Sequence, residues 1–340
     1  MLDTTTSKIN KVENLKKTVL VTGAGYIGAN IAGCLQKNGY TPVVVSRDIS
    51  QVENFVNDAY KIDLPKDMHL LDEIVKRYSM DTVIHTASSK NISESIKDPS
   101  KYYKNNVVMT IQLLNKCVEL GINKFIFSSS SSVYGQQTGP CVEAMESLSP
   151  LNPYGSTKYM CETIIKDYSR AFNINALSFR IFNVAGLCDD CNIGDSSKNV
   201  EHLIPKVIKA GFQVEKFIIN GNDYDTPDGT CIRDYIHVKD VADAHVQAIN
   251  LLGTKITCDT LNLGAGIGIS NKSIVEKISK HTGAIDIEVG ARKLGDPEVL
   301  IADMDKTKNK LNWKPKYSGI DNIIQSAVQW YKTCNKKEIN

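Results

Sequence analysis

The chain has 340 residues, 42% hydrophobic and 23% charged, which is enough to bury a substantial core as two domains or as one with a large extension. Acids and bases are mixed along it, the formal net charge is +2, and the lysine-rich ends around "KINKVENLKK" and "NKKEIN" read as solvated termini, so neither nucleic acid nor a membrane is expected as a partner. Nine scattered cysteines suit free thiols in a reducing compartment, and no signal-like or membrane-spanning apolar run is present, so a soluble, cytoplasmic protein is expected.

After an N-terminal tail over residues 1–17, "KTVLVTGAGYIGANIAGCLQKNG" begins the patterned sequence. A β-branched run from Thr18 to Val21 meets Gly23, Gly25 and Gly28, and then Ala, Ile and Leu recur at helical spacing as far as Gly39. Between a strand and a helix, such glycines serve a tight turn, close approach of backbone to a pyrophosphate, and close packing of helix on strand, with the phosphates at the helix N-terminus. A dinucleotide site is therefore expected there.

Apolar runs then alternate with helical segments: "PVVV", "TVIHTA", a helix through "YYKNNVVMTIQLLNKCVEL", "KFIFSSSSS", a helix through "YGSTKYMCETIIKDYSRAF", and "NALSFRIFN". This order predicts an α/β fold with a doubly wound, Rossmann-type parallel sheet and ligands at the carboxyl ends of its strands. Gly23 to Gly28, Thr86 to Lys90, Ser128 to Ser130 and Phe182 to Val184 then share one rim. The expected division is a dinucleotide-binding domain over 18–182 and a smaller, partly interleaved α/β substrate-binding region over 183–335. "CDDC" at Cys188 to Cys191 has zinc-like spacing but no second Cys or His pair, so no metal is expected.

"NPYGSTK" puts Tyr154 four positions before Lys158, on one face of a helix, where the ammonium would favour the phenolate of a group that ordinarily ionises near about pH 10. "YIHVK" repeats the spacing at Tyr235 and Lys239. Tyr154 is favoured, because it opens a helix after the strand that ends in serines, whereas Tyr235 is expected to lie away from that rim. One serine hydroxyl is a candidate hydrogen-bond relay.

On "DTVIHTASSKNISES", "YYKNNV", "KFIFSSSSSVYG", "PYGSTK", "NDYDTPDGTCIRDYIHVKDVADAH" and "LNLGAGIGIS", the chain resembles the extended short-chain dehydrogenase/reductase family and, within it, the UDP-glucose (UDP-galactose) 4-epimerases. The resemblance runs from about Thr18 to Trp330 and implies that segments around 231–262 return to the first domain. It implies Tyr154 as base for the sugar 4-hydroxyl, Ser130 as its hydrogen-bond partner, and Lys158 to tune Tyr154 and hold the nicotinamide ribose. Hydride would leave sugar C4, a 4-keto sugar would turn over in the site, and hydride would return to its other face.

The resemblance also implies a cofactor site made of Gly23, Gly25, Tyr26, Ile27 and Gly28 in the turn, Ser46 and Arg47 after the second strand, and Asp63 and Leu64 at the adenine. Thr86, Ala87, Ser88, Lys90, Asn106, Ser128, Tyr154, Lys158 and Phe182 would complete it. The nucleotide sugar would be held by Ser130, Tyr154, Asn183, His202, Leu203, Ile218, Asn220, Arg233, Arg292, Lys293 and Asp296. Leu300 would stand beside the sugar as a gate against N-acetylated sugars. NAD is the expected cofactor; Ser46 and Arg47, at the strand end where NAD users place an acid, leave NADP open, with stacking of Arg47 on adenine and a ribose contact from Asp48 as the alternatives. Lys293 replaces an arginine and gives up a bidentate fork on the diphosphate. A homodimer is also implied.

UDP-N-acetylhexosamine or UDP-pentose epimerisation stays open as an alternative. A 4,6-dehydratase needs an acid pair after the serines, which "SSSSVYG" does not offer. A plain nucleotide-sugar reductase and a non-catalytic nucleotide-binding protein are the remaining rivals.

Overall fold

The computed structural model describes residues 17–145, 148–188, 192–195 and 202–338. Cys191 of the "CDDC" pair lies outside them, and among the described residues no group of three or more His, Cys, Asp or Glu is placed to hold a metal ion. No described helix is long and apolar enough to cross a membrane.

The β-branched run Thr18–Thr22 forms β1, followed by β2 (Thr41–Ser46), β3 (Ala59–Lys61), β4 (Thr82–His85), β5 (Lys124–Ser130) and β6 (Asn175–Ile181). Then come β7 (Asn183–Ala185), β8 (Phe217–Asn220), β9 (Ile232–His237), β10 (Cys258–Leu263), β11 (Gly268–Ser270), β12 (Ile287–Gly290) and β13 (Val299–Leu300). A seven-stranded parallel sheet has the order β10-β6-β5-β4-β1-β2-β3. The winding reverses between β1 and β4, the switch point at which such sheets open a crevice at their carboxyl edge.

Both faces of this sheet are buried, as parallel pairing requires. Val19 and Val21 of β1 pack in one apolar cluster with Ile31 and Leu35 of helix Tyr26–Lys37, while Leu20 between them packs in a second with Leu113, Leu114 and Ile165. Residues distant in sequence complete the layers: helix Val238–Ile249 packs on helix Tyr26–Lys37, and β10 pairs with β6 from Cys258↔Ala176 to Leu263↔Ile181. The remaining strands form small sheets, with β9 paired to β7, β11 and β13, and β8 to β12. A third apolar cluster, including Ile204, Val207, Phe217, Ile274 and Ile324, lies under them.

One buried charge pair ties the central strands to the helix that carries Tyr154 and Lys158. The Arg180 guanidinium, on β6, donates to both carboxylate oxygens of Glu162 in helix Pro153–Phe172, with the closest contact 2.8 Å, and both side chains are nearly fully buried. Ser129 at the end of β5 donates its hydroxyl to the same carboxylate. Removing one partner strands the other charge in a low-dielectric interior. Glu162→Gln is therefore expected to lower the unfolding free energy by about 3–5 kcal/mol. Asp321→Asn, which breaks the solvent-facing pair with Lys277, should cost less than about 1 kcal/mol. Denaturant unfolding of both variants checks the contrast, and equal losses would contradict it.

Candidate active site

Helix Pro153–Phe172 begins where its sequence says it should. Asn152 caps it by accepting from the Gly155 N–H at 2.9 Å, and Pro153 opens the first turn, where no intrahelical donor is needed. A side chain at Gly155 would come within 2.5 Å of the Ser132 carbonyl oxygen, so glycine lets the helix start tightly against the loop after β5. That contact brings Tyr154 to Ser130.

The Ser130 hydroxyl is hydrogen bonded to Tyr154 and also accepts from the Ser132 N–H at 3.2 Å. Lys158 is buried, donates to the Ser128 carbonyl at 2.8 Å, and lies 5.9 Å from the Tyr154 ring centre and 4.7 Å from that of Phe127. Burial lowers its ammonium to about 8, against the opposing effect of Cys161 and Glu162. Burial pushes the Tyr154 phenol above its ordinary value, with the Ser130 hydrogen bond pulling it down. The spacing argument thus puts the two residues on one face, but the ammonium donates to a backbone carbonyl, and burial and Ser130 act on the Tyr154 phenol where Lys158 does not.

These groups open into a cleft of about 1240 Å³ along the carboxyl edge of the large sheet. Gly23 adopts φ 93°, and a side chain there would run into Thr86 and the Ala87 backbone at 2.8–3.0 Å; one at Gly28 would strike the Gly23 carbonyl at 1.9 Å. At Gly25 it would meet nothing within 4 Å. Closed on two sides and open at Gly25, the turn faces the cleft with bare backbone at the start of helix Tyr26–Lys37, which fits the pyrophosphate of a dinucleotide. Thr86 donates its hydroxyl to the Thr22 carbonyl at 2.8 Å and the Gly23 N–H bonds the Val45 carbonyl at 2.8 Å, so β1, β2 and β4 hold the turn jointly.

Of the residues expected from sequence, Gly23, Gly25, Tyr26, Ile27, Gly28, Ser46, Arg47, Asp63, Leu64, Thr86, Ala87, Ser88, Lys90, Ser128, Ser130, Tyr154, Lys158 and Phe182 all line this cleft. So do Asn183, His202, Leu203, Ile218, Asn220, Arg233, Lys293 and Asp296 on the opposite side. Arg233 also pairs with Asp296 at 3.6 Å, so its cleft and structural roles coexist. Burial together with Lys90, Lys293 and Lys206 holds His202 below the usual imidazole range, against Asp195.

Four expectations need correction. Asn106 does not line the cleft; it sits behind it, accepting from the Ser89 N–H at 2.8 Å and donating to the Ser89 carbonyl and the Thr157 hydroxyl, and so sets the course of the loop after β4. Arg292 turns away from its neighbour Lys293, bonding Asp223 at 2.8 Å and Glu298 at 3.1 Å and covering the Tyr224 ring. Leu300, 6% exposed, is absorbed into the apolar core with Ala302 and Met304 and is not on the cleft wall. Tyr235, expected away from the rim, does line the cleft: β9 pairs with β7 and sets it opposite Asn183. Its lysine partner is lost, because Lys239 lies over the Tyr317 ring at 4.5 Å.

Sequence reasoning missed Lys206 and Lys209, which line the cleft from helix Leu203–Gln213. A signal was present. A lysine near a helix N-terminus opposes the helix dipole, and "HLIPKVIK" has no acid in its first turn, a pattern that an anion at that end would relieve.

The chain is 37% identical over 324 residues to a UDP-glucose 4-epimerase of Rhizobium meliloti, covering 94% of this chain and 98% of that one. The crystal structure of UDP-glucose 4-epimerase from Brucella ovis in complex with NAD matches at 38% identity and a TM-score of 0.86, covering 92% and 98% of the two chains. That of UDP-glucose 4-epimerase from Bifidobacterium longum in complex with NAD+ and UDP matches at 32% identity and 0.87, covering 93% and 98%. Residues 19–264 match the sequence profile of the NAD dependent epimerase/dehydratase family, and the chain belongs to that family.

Proposed function

We propose that this enzyme is a nucleotide-sugar 4-epimerase that interconverts UDP-glucose and UDP-galactose, which gives it a place in galactose metabolism. The observation that carries the reading is the convergence of Ser130, Tyr154 and Lys158 with the glycine turn on one cleft, whose other side is lined by His202, Arg233 and Lys293. Residues 18–182, with β10 and helix Val238–Ile249, hold the dinucleotide, and most of 183–335 holds the nucleotide sugar.

When bound, the nicotinamide would supply the hydride acceptor and donor for sugar C4 and, oxidised, a positive charge. Tyr154 takes the proton of the 4-hydroxyl and returns it, Ser130 relays or steadies that proton through its hydrogen bond, and Lys158 holds the ribose side. Arg233, Lys293 and the start of helix Leu203–Gln213 hold the diphosphate, so the sugar is free to turn between the two hydride transfers. Arg292 is left to position the strand end at Glu298.

Tyr154→Phe keeps the ring and removes the titrating hydroxyl. Turnover is expected to fall by at least about 10²-fold with nucleotide-sugar affinity retained. Tyr235→Phe alters the wall of the cleft without touching the Ser130 hydrogen bond, so it should change KM more than kcat. Steady-state kinetics of both variants decide, and loss of turnover in Tyr235→Phe alone would reverse the assignment.

Because hydride leaves and returns within one turnover, UDP-galactose should convert to UDP-glucose without added cofactor once the protein is loaded. Continuous growth of absorbance from released reduced nicotinamide would instead make the enzyme a dehydrogenase.

The assembly we propose is a homodimer, supported by exposed Tyr103, Val108, Tyr159, Met160 and Phe172 on two helical segments that pack together. Sedimentation should return twice the 37.6 kDa chain mass, and should return the monomer if those faces remain bare. The free thiols among the described residues, most of them buried, support a cytoplasmic location.

A further inference from the structure

The carboxyl end of β2 reads Val45, Ser46, Arg47, Asp48, and the first three line the cleft on the adenosine side of the glycine turn. A ribose 2′-hydroxyl is recognised at this strand end by a carboxylate, which accepts from it; a 2′-phosphate, being an anion, is repelled by a carboxylate and held by arginine. Here the strand ends in a hydroxyl and a guanidinium. Arg47 is exposed and makes no hydrogen bond or ion pair among the described residues, so its donors are available to a ligand.

Asp48 and Asp63 are both engaged. Asp48 accepts from the Ser50 N–H at 3.0 Å, which curls its carboxylate back onto its own turn. Asp63, on the cleft wall, pairs with Lys66 at 3.1 Å. Next in the sheet, β3 sets Lys61 in register beside Ser46, but Lys61 is exposed and does not line the cleft, which leaves Arg47 as the cation of this strand end. The end of β2 therefore carries a hydroxyl and a cation where an NAD-selective strand end carries a carboxylate, and Asp63 is the acid on the neighbouring cleft wall.

We propose that the adenosine pocket of this chain accepts the 2′-phosphorylated dinucleotide, NADP(H), alongside NAD(H), with Arg47 holding the 2′-phosphate and Ser46 donating to it. The inference concerns the cofactor alone and is independent of which sugar the enzyme turns over.

The test reads bound nucleotide, not activity. Wild type, Arg47→Ala and Ser46→Asp are produced in the same host, the purified holoproteins are denatured, and released NAD(H) and NADP(H) are quantified by mass spectrometry against the host's soluble extract. Wild type should be enriched in NADP(H) relative to the extract. The bound NADP:NAD ratio should fall by about tenfold or more in Arg47→Ala, which loses a charge-assisted hydrogen bond. It should fall at least as far in Ser46→Asp, which introduces a carboxylate at this strand end. A wild-type protein depleted in NADP(H), or a ratio unchanged in both variants, overturns the proposal. The wild-type ratio decides on its own should a variant not accumulate as folded protein.

Discussion

The buried pair of Arg180 and Glu162 is the interaction on which the geometry of the cleft rests. A strand that ends in consecutive serines puts hydroxyls into the middle of a sheet covered on both faces, and each must find a partner. Ser128 bonds His245 at 3.1 Å, Ser129 donates to Glu162, and Ser130 meets Tyr154. Glu162 accepts that hydrogen bond while Arg180 balances its charge. Arg180 in turn lies 4.8 Å over the Tyr134 ring, whose hydroxyl donates to Asn262 on β10 at 2.6 Å. One polar layer thus runs from the far edge of the sheet to the helix of Tyr154, and it fixes that helix by direction as well as by apolar contact. Replacing the pair by well-packed apolar residues could keep the stability, but it would leave Ser129 without a partner and remove the directional constraint.

The same layer explains why the lysine does not draw the tyrosine toward ionisation. Lys158 is buried within it and donates to the Ser128 carbonyl, and burial lowers its ammonium to about 8. A charge held by a backbone dipole several ångströms from the phenol has limited leverage on it, whereas burial of Tyr154 works directly against ionisation. Under the proposed mechanism, deprotonation then depends on the positive charge that arrives with the oxidised dinucleotide. Proton and hydride would then leave the sugar only when their acceptors are present together, which suits a reaction that must not leak its intermediate.

Much of this was legible in the sequence, and the limits of legibility are physical. The alternation of apolar runs with helical segments identified the parallel sheet, and the glycine spacing identified the turn, because both are local consequences of backbone geometry. The residues that were misread depend on where a side chain goes once neighbours distant in sequence arrive. Arg292 and Lys293 are adjacent and alike in charge, yet Asp223 and Glu298 capture the first and leave the second on the cleft. Asn106 reads as a ligand contact but spends its amide on Ser89 and Thr157. Tyr235 reaches the cleft because β9 pairs with β7, a register that no local pattern announces. Leu300 goes into the core because the apolar residues that receive it come from several segments.

The two sides of the cleft differ in how firmly they are built, and the difference matches what the proposed reaction asks of each. On the dinucleotide side the contacts are backbone: the glycine turn, backed by Thr86 and by the Val45 carbonyl, and the loop after β4, held by Asn106. Little entropy remains to be lost there when a ligand binds, so a cofactor can be held tightly and in one pose. On the sugar side the cations include the long side chains of Lys206, Lys209 and Lys293 near His202, with Arg233 buried and tied down by Asp296. Flexible ammonium groups can follow an anion without dictating the orientation of what is attached to it. A site that must release the grip on a ketose long enough for it to turn, while never letting go of the diphosphate, needs this division between a rigid wall and an adaptable one.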